Sequence, residues 1–176
     1  SRIFSMTSQF GKGLWFINIL LFSCIIPFFG LVLMRLLGMV QSIALHTQDE
    51  RKIPYVMAGI FYMAMVAQNS SNTSLPLEIK IFALGATIAL FVAFFINLFT
   101  KISIHTVGMG GFLAMIIIVI GKGYQGGEFL FIFGILSCGL VGTARLILGA
   151  HNSSDIYGGY VVGFFAQFIA LQYLFA

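Results

Sequence analysis

Charged residues are scarce in this chain of 176 residues, where Asp, Glu, Lys and Arg together make up 8% of the sequence. An ordinary soluble domain has roughly 25%. Hydrophobic residues reach 60%, and a water-soluble fold of this size could not cover that much apolar surface with polar side chains. The composition therefore excludes a soluble globular domain and indicates an integral membrane protein.

The apolar runs also lack the alternation of polar and apolar residues that membrane β-strands show over about ten residues. Residues 91–96, for example, are apolar all round. Cysteine is rare as well, and Cys24 and Cys138 both lie in apolar runs, so we interpret them as small core residues. We predict an all-α fold, a polytopic transmembrane helical bundle of about six spans. It forms a single integral membrane domain over 1–176, because no polar stretch is long enough to bury a core of its own.

Six apolar runs are candidates for crossing a hydrocarbon core of about 30 Å as helices. They cover residues 14–39, 54–68, 79–100, 105–120, 128–150 and 157–175. The second and fourth are short for a full crossing, so tilt or local thinning of the bilayer would have to accommodate them. The first is too long for the apolar region of a cleavable signal peptide, and we expect it to remain as a span.

Alternating crossings place the loops 45–53, 100–104 and 151–156 on one side of the membrane. Ionisable residues cluster in or beside these loops, namely Asp49, Glu50, Arg51, Lys52, Lys101, His105, Arg145, His151 and Asp155. Lysines at helix ends commonly extend to the headgroups without any further role. Arg145 fits that explanation poorly, because uncharged residues 129–144 precede it and three more apolar residues follow it. An ionisable residue inside a span indicates a functional site.

The densest polar group on that side is Arg145-Leu-Ile-Leu-Gly-Ala-His151-Asn-Ser-Ser-Asp155. His151 and Asp155 are four residues apart, so on a helix their Cβ atoms would lie about 5 to 6 Å apart on one face. The carboxylate could then fix the imidazole tautomer and raise its basicity, which leaves the other ring nitrogen free to attack. The planar guanidinium of Arg145 suits phosphoryl oxygens. A plainer interpretation, an exposed histidine and an N-capping aspartate, stays open.

A second group, Lys101-Ile-Ser103-Ile-His105, opens the fourth span. A helix N-terminus offers unpaired N–H groups to an anion, and Ser103 adds a hydroxyl. His105 could act as a general acid on a leaving alkoxide. Serine at a helix start is most often just a cap, so this group gains weight only beside the first.

Together these residues resemble the type 2 phosphatidic acid phosphatase family of membrane phosphatases, which shares its catalytic core with vanadium-dependent haloperoxidases. Its motif Ser-Arg-x5-His-x3-Asp is matched from Ala144-Arg145 to Asp155, with the serine replaced. Its motif Pro-Ser-Gly-His would fall on residues 102–105, which keep the serine and the histidine. The motif Lys-x6-Arg-Pro is not matched, because Ala44 takes the place of the lysine, and Pro54 comes three residues after Arg51. The resemblance covers about 45–170.

The resemblance implies a metal-independent hydrolase, without a cofactor, that acts on a lipid phosphate or diphosphate. It implies that His151 attacks phosphorus, that Asp155 stabilises the imidazolium, and that His105 protonates the departing group. The implied ligands of the phosphoryl oxygens are Arg145, Ser103 and Arg51, with Lys52 as the alternative to Arg51 and Lys101 as a compensating charge.

The expected partners are the lipid phosphate and the bilayer, and not nucleic acid, because the net charge of +4 is spread over several short loops. We expect a bacterial inner-membrane protein whose site faces outward. Four basic residues on the other side suggest that it is cytoplasmic, although the site side also carries four; those on the other side are Arg2, Lys12, Lys80 and Lys122. The sequence indicates neither an oligomeric state nor a role for Arg35.

Other functions remain to be weighed. A catalytically degenerate phosphatase-like binding protein, or a transporter component, would also explain a polar membrane face, and the unmatched motif fits a lapsed enzyme. Residues 121–126 formally match Gly-x-Gly-x-x-Gly, but without a preceding strand they indicate an interhelical loop. His46, Asp49 and Glu50 could bind a divalent metal, although adjacent acids in a polar loop are usually solvated.

Overall fold

The computed structural model describes residues 14–41, 48–73, 75–123 and 126–175. Within these ranges the chain forms six helices and no strand. They are α1 (Leu14–Leu36), α2 (Gln48–Ser70), α3 (Leu77–Asn97), α4 (Ile104–Gly121), α5 (Gly127–Ile147) and α6 (Ser153–Phe175). All of them except α2 are long and apolar enough to cross a membrane. The predicted all-helical bundle is therefore confirmed.

The start of α2 differs from the sequence prediction, which began the second span at residue 54 and left 49–52 in a loop. The helix begins at Gln48 and carries Asp49 and Glu50 in its first turn. Carboxylates are favoured there because the helix dipole is positive at its N-terminus. Pro54 lies within the helix, where its missing N–H removes a single hydrogen bond near the helix start. Arg51 therefore projects from a helix rather than from a loop.

Helices α3, α4 and α6 form the centre of the bundle, with α5 packed on α4 and α2 packed on α3. Helix α1 makes its main contacts with α2. Hydrogen bonds reinforce that contact: Tyr62 Oη donates to the Ser23 carbonyl oxygen at 3.2 Å, and Asn18 Nδ2 donates to Gln68 Oε1 at 2.9 Å. The site described below depends on the central helices.

Glycines allow α4 and α6 to approach each other closely. A Cβ on Gly163 would overlap the Val107 carbonyl oxygen, and a Cβ on Gly110 would overlap the Tyr160 carbonyl oxygen. Gly159 faces the start of α4, where a Cβ would lie 2.8 Å from the carbonyl oxygen of residue 103. Small residues at helix interfaces permit such backbone contact in membranes. We call this α4–α6 contact the glycine interface, and it joins the starts of the two helices.

Helices α2, α4 and α6 begin at the same end of the bundle, which we call the site end. The other end, where these helices finish, is the opposite end. The predicted grouping of loops on two sides of the membrane agrees with this arrangement, because the backbone N–H of Ser103 donates to the carbonyl oxygen of Asp155 at 3.2 Å. That bond ties the α3–α4 loop to the first turn of α6.

Candidate active site

His151 lies in the loop between α5 and α6, with its Nδ1 at 3.2 Å from Asp155 Oδ2. Both side chains are buried, at 5% exposure each. A carboxylate has only acceptor atoms, so the hydrogen bond requires the proton to be on Nδ1 of the imidazole. The neutral ring then carries its lone pair on Nε2. The arrangement leaves Nε2 as the ring nitrogen that could act as a nucleophile.

Asp155 is held by the N-terminal cap of α6. Its backbone N–H donates to Asn152 Oδ1 at 2.9 Å, and its Oδ2 accepts from the backbone N–H of Asn152 at 3.2 Å. Ser154 Oγ also donates to Asn152 Oδ1, at 2.8 Å. This reciprocal pair has the form of a capping box. It fixes the carboxylate that contacts His151.

The His151–Asp155 contact therefore forms in a different way from the one that the spacing suggested. His151 precedes α6 and is not helical, so the two side chains do not share a helix face. The plainer interpretation was right that Asp155 takes part in capping, but the His151 side chain is buried rather than exposed. One carboxylate thus serves both the cap and the histidine.

Asn152 is the residue that the sequence analysis missed. Its role is readable in the pattern Asn152-Ser-Ser-Asp155, because an N-cap residue followed three positions later by an acid marks a helix start. Sequence analysis instead placed the start of the sixth span at residue 157, four residues after Ser153. Hydrophobicity did not reveal this cap, because the apolar run begins only after it.

Ser103 stands at the N-cap position of α4, yet its side chain makes no capping hydrogen bond. The residue is 0% exposed, and its Oγ has no hydrogen-bond partner in the described ranges. A buried hydroxyl without a partner is costly, by about 1–3 kcal/mol. Its backbone is well anchored, since Thr106 Oγ1 donates to the Ser103 carbonyl oxygen at 3.0 Å. The hydroxyl is thus a buried polar group that the described residues leave unpaired.

Arg145 lies in the last turn of α5 and is a charged residue that, like Ser103, has a buried atom without a partner in the described ranges. Its Nε is buried and finds no acceptor among the residues that the structure describes. Arg145 and Arg51 both interact electrostatically with His151 and with His105. Two arginines therefore lie within electrostatic range of the histidine pair, and an oxyanion would complement their charge.

The electrostatic surroundings lower the pKa of His151 below its usual 6.5. Burial is the largest cause, because it penalises the charged imidazolium. The hydrogen bond to Asp155 acts in the other direction, and the positive charges of Arg51 and Arg145 lower the pKa further. The imidazole is consequently neutral at pH 7, as a nucleophile must be.

His105 is the second residue of α4 and is exposed at the site end. It interacts electrostatically with Arg145, His151 and Arg51, so the two predicted catalytic histidines belong to one group. Its exposure leaves it accessible to a leaving group and to water. The position is suitable for proton transfer.

Two predicted ligands are not brought to this group. Lys52 forms an ion pair with Asp49, with Nζ 2.6 Å from Oδ1, and the two side chains are 47% and 86% exposed. Lys101 is exposed in the α3–α4 loop, and no ion pair joins it to the site in the described part of the chain. Between the two candidates on α2, the structure thus brings Arg51 to the site and leaves Lys52 on the surface.

The other candidate sites gain no support. No group of three or more His, Cys, Asp or Glu residues that could hold a metal ion occurs within the described residues, and His46 and Ala44 lie outside them. The glycines of 121–126 lie between α4 and α5 at the opposite end, with residues 124–125 again outside the described ranges. Gly123 and Gly126 have positive φ angles of 82° and 78°, as expected for a turn between helices.

Comparisons of the chain with protein-family models, with curated proteins and with solved structures found no match. The functional argument therefore depends on the chemistry of the grouped side chains and on the motif resemblance. Both concern the same residues at the site end.

Proposed function

We propose that the protein is an integral membrane phosphatase that hydrolyses a phosphate ester of a lipid through a phosphohistidine intermediate. One observation carries the proposal. A buried imidazole, whose tautomer is fixed by Asp155 and whose neutral form is favoured by burial, lies in a group with Arg145, whose Nε is buried without a partner in the described ranges. The hydroxyl of Ser103 is buried without a partner in the same way. A nucleophile beside unsatisfied donors is the arrangement that phosphoryl transfer requires.

The proposed reaction has two steps. Nε2 of His151 attacks phosphorus and forms a P–N bond, the P–O bond to the lipid breaks, and His105 gives its proton to the departing oxygen. A water molecule, deprotonated by His105, then attacks phosphorus and breaks the P–N bond, which releases inorganic phosphate and restores His151. Asp155 stabilises the imidazolium that carries the phosphoryl group.

The donors around the histidine stabilise the charge that develops on the phosphoryl oxygens. Arg145 and Ser103 supply a guanidinium and a hydroxyl, and Arg51 adds a second positive charge from α2. Removing one such preorganised donor typically costs ~10²–10³ in rate. The proposed mechanism uses only groups of this chain and water.

The membrane location supports a lipid as the substrate. The site lies where helices begin and end, so in a bundle that spans a membrane the phosphate of a phospholipid or of a polyprenyl phosphate or diphosphate would meet it at headgroup depth, with its chains in the bilayer. Lys80 and Lys122 lie at the opposite end, and basic loops favour the cytoplasmic side. We accordingly propose a bacterial inner-membrane orientation with the site facing outward.

A second candidate function is a phosphatase-like protein that binds lipid phosphates without hydrolysing them. The unmatched first motif favours it, because Ala44 replaces a lysine and Lys52 is paired with Asp49. A transporter component receives less support, because transporters place their ionisable groups near the bilayer midplane. The described charges lie instead at the ends of the helices.

The decisive experiment measures phosphate release by purified protein from a panel of phospholipid and polyprenyl phosphates in the presence of EDTA. Wild type is compared with His151→Ala and with Lys101→Ala, an exposed basic residue that serves as the control. We expect release by wild type and Lys101→Ala, none by His151→Ala, and an acid-labile phosphoprotein that accumulates in His105→Ala. Binding of lipid phosphates without release by wild type would favour the binding protein.

A further inference from the structure

A cavity of about 640 Å³ lies between α1, α2, α3 and α4, and Gln167 of α6 completes its wall. The helix α4 contributes a row of residues to this wall, which are Ile104, Val107, Gly108, Gly111, Phe112 and Met115. Their spacing of three, one, three, one and three residues is that of one helix face. The cavity therefore follows α4 along its axis rather than crossing the bundle.

The cavity begins beside the site. Ile104 stands between Ser103 and His105 in the sequence and lines the cavity at the site end. From Ile104 to Met115 the helix rises roughly 16 Å, at about 1.5 Å per residue. This is about half of a hydrocarbon core of about 30 Å, which is the depth that a lipid chain occupies in one leaflet.

The wall is mostly apolar, and its polar groups are engaged except Gln167 Oε1, which is buried without a partner in the described ranges. Tyr62 Oη donates to the Ser23 carbonyl oxygen at 3.2 Å. Glu78 Oε1 accepts from Lys122 Nζ at 2.8 Å. Water needs two to four polar partners to occupy a cavity, whereas apolar cavities take apolar ligands. The chemistry of the wall therefore selects a hydrocarbon.

Helix α1 gives the cavity an entrance from the bilayer. It contributes Phe16 and Ile19 to the wall, but it makes its main contacts with α2 and not with α3 or α4. The space between α1 and the α3–α4 pair is thus the cavity itself. A chain can enter sideways from the lipid without passing the headgroup region.

We propose that this cavity binds one hydrocarbon chain of the lipid whose phosphate occupies the site, an inference that rests on the proposed function. The chain lies along α4, with the phosphate at Ser103 and the chain end near Met115. Chain length then contributes to substrate selection. A phosphate ester with a short chain uses the site without filling the cavity.

The test narrows the cavity without disturbing the site. A Cβ on Gly108 would meet no atom within 4 Å, so Gly108→Leu projects into the cavity. Gly139→Leu is the matched control, since Gly139 is an exposed glycine within α5 whose Cβ also meets no atom within 4 Å. Both variants gain helix propensity. Protein in lipid nanodiscs is assayed with hexadecyl phosphate and with butyl phosphate.

We expect Gly108→Leu to lower kcat/KM for hexadecyl phosphate by about 10- to 100-fold, because several buried methylenes lose their contacts. Activity toward butyl phosphate should stay within about two-fold, and Gly139→Leu should match wild type with both esters. An unchanged ratio of the two activities in Gly108→Leu would overturn the cavity assignment while leaving the phosphatase in place.

A separate outcome concerns the phosphatase itself. If wild type releases phosphate from neither ester, the proposed function fails, and the cavity is judged by binding alone. Hexadecyl phosphate should then raise the thermal unfolding midpoint of wild type and Gly139→Leu but not of Gly108→Leu. Equal stabilisation of all three proteins would reject the cavity as the chain-binding site.

Discussion

The two ends of the bundle differ in whether their polar side chains have hydrogen-bond or ion-pair partners. At the opposite end, Glu78 and Lys122 form an ion pair at 2.8 Å, and Lys80 Nζ donates to the Ser70 carbonyl oxygen at 3.1 Å. At the site end, Arg145 Nε and Ser103 Oγ are buried without partners in the described ranges. Both ends face the same bilayer, so the membrane alone does not explain the difference.

The comparison distinguishes polar groups that are paired within the fold from those that we propose to bind a ligand. Buried polar groups are nearly always paired in folded proteins, because leaving one unpaired costs free energy. The opposite end follows that rule, and the site end breaks it beside a histidine. Substitutions at the site end should therefore change catalysis, while those at the opposite end should change stability only slightly.

The largest effect is expected from Asp155→Asn. An amide can donate to Nδ1 of His151 and so favour the wrong tautomer, and the loss of such a carboxylate reduces kcat by ~10⁴ in a serine protease. We expect a fall in kcat of about 10³- to 10⁴-fold, measured by phosphate release. Circular dichroism should show the helical content nearly unchanged, because an amide nitrogen in place of Oδ2 removes only the one cap bond from the Asn152 N–H. Near-normal turnover in this variant would remove Asp155 from the proposed mechanism.

Arg145→Ala sharpens the contrast between the two ends directly. Loss of the guanidinium should lower kcat by about 10²- to 10³-fold, and Arg145→Lys should recover only part of it, since lysine lacks the planar fork. Lys122→Ala is the control at the opposite end. Its activity should stay within about two-fold, and its partly exposed ion pair should contribute less than about 1 kcal/mol to stability. Similar losses at both ends would contradict the comparison.

The pH profile tests the state of His151. In the proposed mechanism the nucleophile is the neutral imidazole, and burial holds its pKa below 6.5. The acid limb of the profile should therefore lie below pH 6.5, with the rate falling about ten-fold per pH unit below the pKa of the folded protein, and loss of the His105 proton should lower the rate at higher pH. A half-maximal rate on the acid limb above pH 7 would show that the arginines and burial do not set this pKa.

The same lowered pKa affects stability. Between the folded pKa and 6.5 the unfolded chain binds more protons than the folded chain at this residue, so stability rises with pH through that window. The contribution of His151 is complete above 6.5 and is lost as the pH falls. The thermal midpoint of His151→Gln should consequently vary less over this window than that of wild type.

The smallest effect is expected from Asn152→Ala. The variant keeps its backbone N–H to Asp155 but loses the side-chain oxygen that accepts from the backbone of Asp155, at a cost of about 1 kcal/mol. We expect a few-fold loss of kcat and a shifted pH midpoint, both restored by Asn152→Ser. Ser154→Ala, which removes only a bond to Asn152, should change neither. A loss of stability without any shift in pH midpoint would limit Asn152 to the helix cap.

The fold was largely readable from the sequence because each span is an apolar run bounded by polar residues. The residues at which the helices begin were harder to predict from the sequence. Gln48 and Ser153 begin their helices among charged or polar residues, and the apolar pattern does not register a helix start of that kind. Capping chemistry decides those ends, and it operates over single residues.

The site was predictable to the extent that alternating spans bring the loops together. That reasoning placed Ser103, His105 and His151 at one end, where the structure also has them. It preferred Arg51 to Lys52 without a geometric reason, because both occupy the start of α2 and only side-chain direction distinguishes them. The ion pair of Lys52 with Asp49 makes that choice.

The glycine interface has a consequence for how the protein loses activity on heating. A spanning helix satisfies its backbone hydrogen bonds internally, so α4 and α6 can separate without either one unwinding. His105 and His151 stand beside these two helices, and a small gain in interhelical distance at Gly159 would part them. On heating, α4 and α6 should thus separate while both remain helical. Activity should be lost at a lower temperature than the helical signal in far-ultraviolet circular dichroism.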